Sequence, residues 1–339
     1  MATVSLALTR APETRGTLVQ QGLLDVLLRL CDAAAAAAAA APTRPSATTT
    51  TMTATTARDA AYALARLLIP LDPSLIFHGH SPAGRSRSLP TTIRALHGLL
   101  LGPASALPSP SSPPSSSLTS EEDAAAHAFD ALRALTNLAS LSSAARALIA
   151  HVAFPAIDAL LWAPPSARVQ QAAVECVCNL VCAGDGDCSG GGDAMTARFT
   201  SPSDPAALQR LTLLHALTTS PAPGTRRAAA GALAGLLSCG AGAAAFLNVR
   251  GGVAGVVAWL SEGVEEETEG MRERGMAVLV ALLVGGEDEG DGAGEEEGRK
   301  SRARARQMVR DAGGVKVLRA LLRRGGQEEE VQACLDVLA

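Results

Sequence analysis

The sequence predicts an all-α protein, a solenoid of stacked helical repeats broken by low-complexity loops. Three observations predict it. Apolar residues recur with helical spacing in segment after segment, and turn-forming residues separate the segments. No stretch alternates with period two for long enough to read as part of a sheet. Composition agrees: Ala, Val, Ile, Leu, Met, Phe, Trp, Tyr and Cys make up 47% of the 339 residues, but aromatics only 2%. Such a core suits closely packed helices better than sheets, which draw on β-branched and aromatic residues.

In chain order the spacing predicts helices at about 17–31, 57–69, 121–140, 144–161, 168–183, 205–218, 225–239, 252–261, 271–284, 303–324 and 328–338. Residues 1–16 read as a disordered N-terminus and 17–339 as one repeat domain. The domain carries insertions at about 33–56, 102–120, 184–204 and 287–302. The first insertion is an alanine run followed by PTRPSATTTTMTATT, whose Pro42 and Pro45 stop a helix. The second is a Pro/Ser linker and the third holds GDGDCSGGGD. The fourth is an acidic run followed by the basic RKSRARAR. Each reads as a solvated surface loop.

With the loops removed, a repeat emerges: short helix, turn, apolar helix, polar turn, long helix. AARALIAHVAFPAIDALLW followed by RVQQAAVECVCNLV is one copy. GAAAFLNVRGGVAGVVAWL followed by MRERGMAVLVALLV is another. Aligning the long helices places Leu64, Leu135, Val177, Leu233, Val280 and Leu335 in register. Their separations, less the loops, approach the roughly 40–47 residues of armadillo and HEAT repeats. Such units cannot bury their apolar faces alone and must stack. The expected fold is therefore an armadillo/HEAT-type solenoid.

In an armadillo repeat the long third helix lines the groove. Its outward face here reads Asp130, Arg133 and Asn137 in one repeat and Ala172, Glu175 and Asn179 in the next. An asparagine there offers both a donor and an acceptor to the backbone of an extended chain, as asparagine ladders do in other armadillo proteins. Asp130, Arg133, Asn137, Glu175 and Asn179 are accordingly the candidate protein-binding residues. The competing reading has each asparagine bonded to a neighbouring repeat, setting packing. The next two repeats place Ala228, Gly231 and Gly235, then Gly275, Val278 and Leu282, at these positions, so any ladder has two rungs.

Other chemistry is weaker. Cys176, Cys178, Cys182 and Cys188 cluster, but Cys176 points roughly 200° away from Cys178 around a helix and no histidine joins them. Buried thiols are expected, and no metal. The stretch from Asp185 opens like a calcium loop and fails at Thr196, where a glutamate is needed. His78-Gly79-His80 has no acidic or thiol partner in view. No catalytic signature or cofactor motif is present, so no enzyme and no cofactor are expected. RKSRARAR reads as charge balance or a helix start rather than a localisation signal. Net charge is −4, which argues against nucleic-acid or membrane-surface binding. The longest apolar run, MAVLVALLV, is too short for a bilayer. Cysteines inside apolar helix patterns fit reduced thiols, hence a cytoplasmic location.

The order of segments resembles the UCS-domain family of myosin chaperones. The matching stretches are QQGLLDVLLRL (20–30), RDAAYALARLLIPLDPSLIFHG (58–79), FDALRALTNLAS (129–140), FPAIDALLW (154–162), QQAAVECVCNLV (170–181), RRAAAGALAGLL (226–237) and RERGMAVLVALL (272–283). The resemblance implies a right-handed armadillo superhelix that binds the myosin motor domain and assists its folding and stability, supporting actin–myosin processes. It also implies a second partner, a heat-shock ATPase chaperone. The tetratricopeptide module that recruits that chaperone in some members is not found in this sequence. A general armadillo scaffold for another protein or peptide is the alternative.

Overall fold

The structure, a computed structural model, describes residues 15–40, 47–72, 77, 88–101, 117–181, 192–261, 266–284, 293–325 and 327–339. The described residues form helices and no strands. In order these are α1 (Arg15–Gln20), α2 (Leu23–Ala40), α3 (Ala47–Leu68), α4 (Leu89–Leu100), α5 (Ser117–Ala139), α6 (Ser143–Val152), α7 (Phe154–Trp162), α8 (Ala167–Val181) and α9 (Gly192–Thr200). Then follow α10 (Ala207–Leu217), α11 (Pro223–Leu237), α12 (Gly240–Phe246), α13 (Gly252–Ser261), α14 (Glu266–Leu283), α15 (Ala293–Asp311), α16 (Gly314–Arg324) and α17 (Glu328–Leu338). The helices group as α1–α3, α4–α5, α6–α8, α9–α11, α12–α14 and α15–α17. In every group but the last, whose final helix α17 has 11 residues, the last member is the long helix that the repeat pattern predicts.

The chain separates into two compact units, residues 1–176 and 177–339. In the first, α2 packs on α3, α3 packs on α4 and α5, and α4 also meets α6 and α7. In the second, the third helices lie side by side, α11 on α14 and α14 on α17, with α13 behind them against α14, α15 and α16. The predicted register holds through most of the chain: Leu64, Leu135, Val177 and Leu233 are fully buried. In the last two groups it slips by one residue. Val280 and Leu335 are only half-buried, and Leu279 and Cys334 take the core positions beside them. Gly275, Val278 and Leu282, read from sequence as an outward face, are buried.

Local chemistry explains the helix boundaries. Gly22 (φ 88°) separates α1 from α2, and Gly313 (φ 77°) separates α15 from α16. Both adopt the left-handed conformation that glycine enters without penalty. Ser142 caps α6 by accepting a 3.1 Å hydrogen bond from the Ala145 N–H. The chain turns at Ala153, and Pro155 sits in the first turn of α7, where its missing N–H costs nothing.

Several helices exceed or escape the sequence reading. α4 was not predicted, although Ser88 caps it through the Thr91 N–H and Pro90 opens it. Ile93, Leu96, Leu99 and Leu100 form its buried stripe. The alanine run is helical to Ala40, as the best helix former should be. α3 begins at Ala47 rather than near 57, so both ends of the first insertion are helix. α9 lies inside the third predicted insertion, and α15 begins at Ala293 inside the fourth. Pro42, Pro45, His78-Gly79-His80 and residues 1–14, 102–116, 182–191 and 285–292 lie outside the described residues. No single helix among the described residues is long and apolar enough to cross a membrane.

Candidate functional site

In the first unit the third helices line a cleft of about 600 Å³. α3 contributes Tyr62 and Arg66, spaced four apart so that both point the same way. α5 contributes Glu122, Ala126, Phe129 and Asp130 from successive turns, and the start of α8 contributes Ser166 and Arg168.

The floor is a short polar chain. Arg66 Nη1 donates to Asp130 Oδ2 at 3.0 Å and to Tyr62 Oη at 3.3 Å. Asp130 is buried, 7% exposed, and Arg66 supplies the counter-charge that such burial requires. Burial, and then the Asp130 carboxylate, push the Tyr62 phenol above its ordinary range. The His127 ring lies against Tyr62 with centroids 4.2 Å apart. Burial pushes the His127 pKa down, with Arg58 adding to the effect, so this imidazole is neutral at pH 7.

The wall is aromatic and cationic. The Arg168 guanidinium stacks over the Phe129 ring at 3.8 Å, and Arg133 lies 5.8 Å from the same ring. Ser166 accepts from the Val169 N–H at 3.3 Å and so fixes the start of α8. Glu121, Glu122, Arg133 and Arg168 are exposed around the cleft. The cleft thus has both signs of charge at its edge, an aromatic ring in its wall and the Arg66–Asp130 ion pair beneath.

The candidate residues from the sequence fall in different surroundings. Asp130 lines the cleft, and Arg133 borders it through Phe129. Asn137 lies farther along α5, where its amide nitrogen donates to the carbonyls of Leu68, at 3.3 Å, and Ile69. Those carbonyls belong to the open C-terminal end of α3, which has no intrahelical donors left to offer them. Asn137 thus ties one third helix to the preceding one, as the packing reading described. Glu175 is half-buried and accepts from Gln171 at 2.8 Å. Asn179 is half-buried toward the end of α8. Neither of these two lines the cleft. Tyr62, Arg66, Phe129 and Arg168 were not singled out from sequence. Tyr62 and Arg66, four apart, were the available signal.

Among the described cysteines Cys31, Cys176 and Cys334 are buried packing residues. Cys176 is fully buried and its thiol is pushed up to about 12 by that burial, the reverse of a reactive or ligating thiolate. Cys182 and Cys188 lie outside the described residues. Among the described residues no cluster of His, Cys, Asp or Glu has the makings of a metal site.

Grouped helices whose long third members lie side by side define an armadillo-type repeat protein. Solved structures agree. She4p aligns with a TM-score of 0.62 at 20% identity, over 97% of this chain and 39% of that one. The designed armadillo repeat protein YIII(Dq)4CqI aligns at 0.56 and 14% identity, over 93% of this chain and 100% of that one. A related design, YIII(Dq.V1)4CPAF in complex with the peptide (KR)4, aligns at 0.52 and 14% identity, over 93% and 99%. At these identities the likeness establishes the fold. The chain spans well under half the length of She4p. No protein-family model matches the sequence, and no curated protein does.

Proposed function

We propose that this chain is a non-enzymatic, cytoplasmic chaperone or co-chaperone for the myosin motor domain, holding a partly folded segment of it against the third-helix cleft. The observation that carries the reading is the cleft itself. Exposed Glu122, Ala126 and Arg133, with half-buried Phe129 among them, form one stripe along α5, beside exposed Arg168 of α8. The segments that resemble the UCS-domain family support myosin as the client, and two of them, 58–79 and 129–140, carry Tyr62, Arg66, Phe129 and Asp130. Shielding exposed apolar surface of a motor domain limits its aggregation without any covalent chemistry.

The test is heat-induced aggregation of a myosin motor fragment followed by light scattering. The full chain should suppress scattering at near-stoichiometric amounts. The double reversal Arg133→Glu with Arg168→Glu should weaken suppression and its dependence on salt, because these exposed cations meet the client first. An unprotected motor fragment sinks the myosin reading and leaves the broader one, an armadillo scaffold for another protein or peptide. The structure of YIII(Dq.V1)4CPAF with its (KR)4 peptide favours that broader reading as the fallback. Engagement of a heat-shock ATPase chaperone is a separate part of the proposal, checked by co-purification with and without nucleotide.

A further inference from the structure

The second unit carries a concentration of positive charge that the client cleft does not use. Residues 299–324 hold ten of the chain's 29 Lys and Arg against one acid, Asp311, in a protein of net charge −4. The structure divides these cations into two groups. On α15 several are built into the fold. Arg304 donates to the Leu247 carbonyl and to Asn248 Oδ1, both at 3.0 Å, and Arg310 donates to the Leu338 carbonyl at 2.7 and 3.0 Å. Lys300 pairs with Glu296 at 2.7 Å.

The cations of α16 differ. Lys316, Arg319, Arg323 and Arg324 are exposed, and among the described residues no hydrogen bond or ion pair engages their side chains. At about 100° per residue, Lys316, Arg319 and Arg323 fall on one stripe roughly 10 Å long, with Arg324 beside it. Leu318 and Leu321 occupy the opposite, buried side. No acid lies on α16 to balance the stripe.

Helix chemistry explains only part of this arrangement. Arg323 and Arg324 sit in the last turn, where cations complement the macrodipole. Lys316 sits in the first turn, against the dipole, and Arg319 gains nothing from either end. Four like charges on one helix also repel one another. Positions 316 and 319 are therefore held at a cost that an external anion would offset.

We propose that this face of α16 binds an acidic segment of a partner protein, with carboxylates meeting the Lys316, Arg319 and Arg323 stripe. A protein partner is favoured over the other polyanions by what the face lacks. It has no aromatic side chain on which a nucleic-acid base could stack. It has no exposed large apolar residue to enter a bilayer; those on the described surface are Val26, Leu101, Trp162, Leu208 and Val284. The rest of the chain is strongly acidic and repels extended polyanions, while a short carboxylate cluster engages the stripe locally. Glutamates three and four apart on a helix match the spacing.

The experiment titrates the full chain with a short fluorescein-labelled poly-glutamate peptide, followed by anisotropy at low and high salt. Binding should be saturable, weakened by salt, and at least about tenfold weaker in the triple variant Lys316→Glu, Arg319→Glu, Arg323→Glu. The neutral triple variant, with glutamine at the three positions, should fall between the two, and it replaces the reversal if that variant fails to fold. Equal affinity of wild type and variants overturns the proposal. So does tighter binding of a single-stranded oligonucleotide or of phosphatidylserine vesicles than of the peptide. Deletion of residues 285–292 is the last arm. A tenfold gain in peptide affinity on deletion would make the chain's own acidic run the occupant and overturn a partner; unchanged affinity supports one. Because α16 lies outside the cleft, these outcomes are independent of the aggregation assay.

Discussion

The same register position is solved in two ways in the two units, and the contrast shows how successive third helices are joined in each. Asn137 and Gly235 are equivalent, each two residues after an aligned buried leucine, Leu135 or Leu233. Asn137 reaches the carbonyls at the end of α3 with its side-chain amide. Gly235 meets the end of α8 with no side chain at all. A Cβ there would stand 3.2 Å from both the Val181 carbonyl oxygen and Cγ2. The neighbouring positions repeat the difference. Arg133 is exposed beside the cleft, whereas Gly231 is buried, with Cys178 Sγ 2.9 Å and Arg274 Nε 3.3 Å from where a Cβ would be. At Asn137 a polar side chain bridges successive third helices. At Gly231 and Gly235 the missing side chain lets neighbouring atoms close up.

The strongest way to break the comparison is to move one solution into the other unit. Gly235→Asn should lose about 2–3 kcal/mol, because the inserted side chain must displace Val181 from a packed seam. A chemical-denaturation midpoint equal to wild type would show that the seam has slack. Next in size is Asn137→Ala. It gains helix propensity but strips the α3 carbonyls of their donor, a net loss of about 1–2 kcal/mol by the same measurement. An unchanged midpoint would return Asn137 to the groove. Arg133→Ala should then shift stability by no more than about 0.5 kcal/mol while weakening client binding, since the residue is exposed. A large destabilisation would place Arg133 in the packing instead.

The smallest effect concerns pH and applies to both units. His127 in the first is packed on Tyr62, and His215 in the second lies between Phe246 and Trp259, near enough to Gly255 that a Cβ there would strike its ring. Burial lowers the pKa of both. The unfolded chain protonates these groups near about pH 6.5 and the folded chain only at lower pH, so the unfolded state binds more protons in acid. Stability should therefore fall as pH drops below about 6.5, and His215→Leu should flatten that slope. A slope identical in the variant would remove His215 from the account.

The sequence carried the repeat well because buried leucines at fixed intervals are a strong periodic signal, and Leu64, Leu135 and Leu233 sit where the alignment puts them. The helices it missed have plain causes. α4 has a good cap and a clear stripe, but at 12 residues between polar flanks its periodic signal is short. The alanines of α2 extend the helix to Ala40, short of Pro42 and Pro45, as their helix propensity allows. The cleft was half legible. A helical wheel finds Asp130 and Arg133, but whether Asn137 faces a groove or a neighbour depends on how near the preceding helix lies, which no single-helix pattern encodes. The glycines at 231 and 235 were read as missing rungs. Their role in close packing needs the neighbours Cys178, Val181 and Arg274 to be seen.

The bond from Asn137 to the end of α3 also bears on how the chain acquires its structure. The residue that finishes the first long helix is encoded about seventy positions downstream, two helices later. On an emerging polypeptide, α3 stays frayed at its tip until that later stretch has been made and docked. At this junction the later group completes the earlier one, so the coupling between these two neighbours is directional. A truncation just before residue 137 should therefore harm the helix upstream of the cut, by removing the donor to the Leu68 and Ile69 carbonyls.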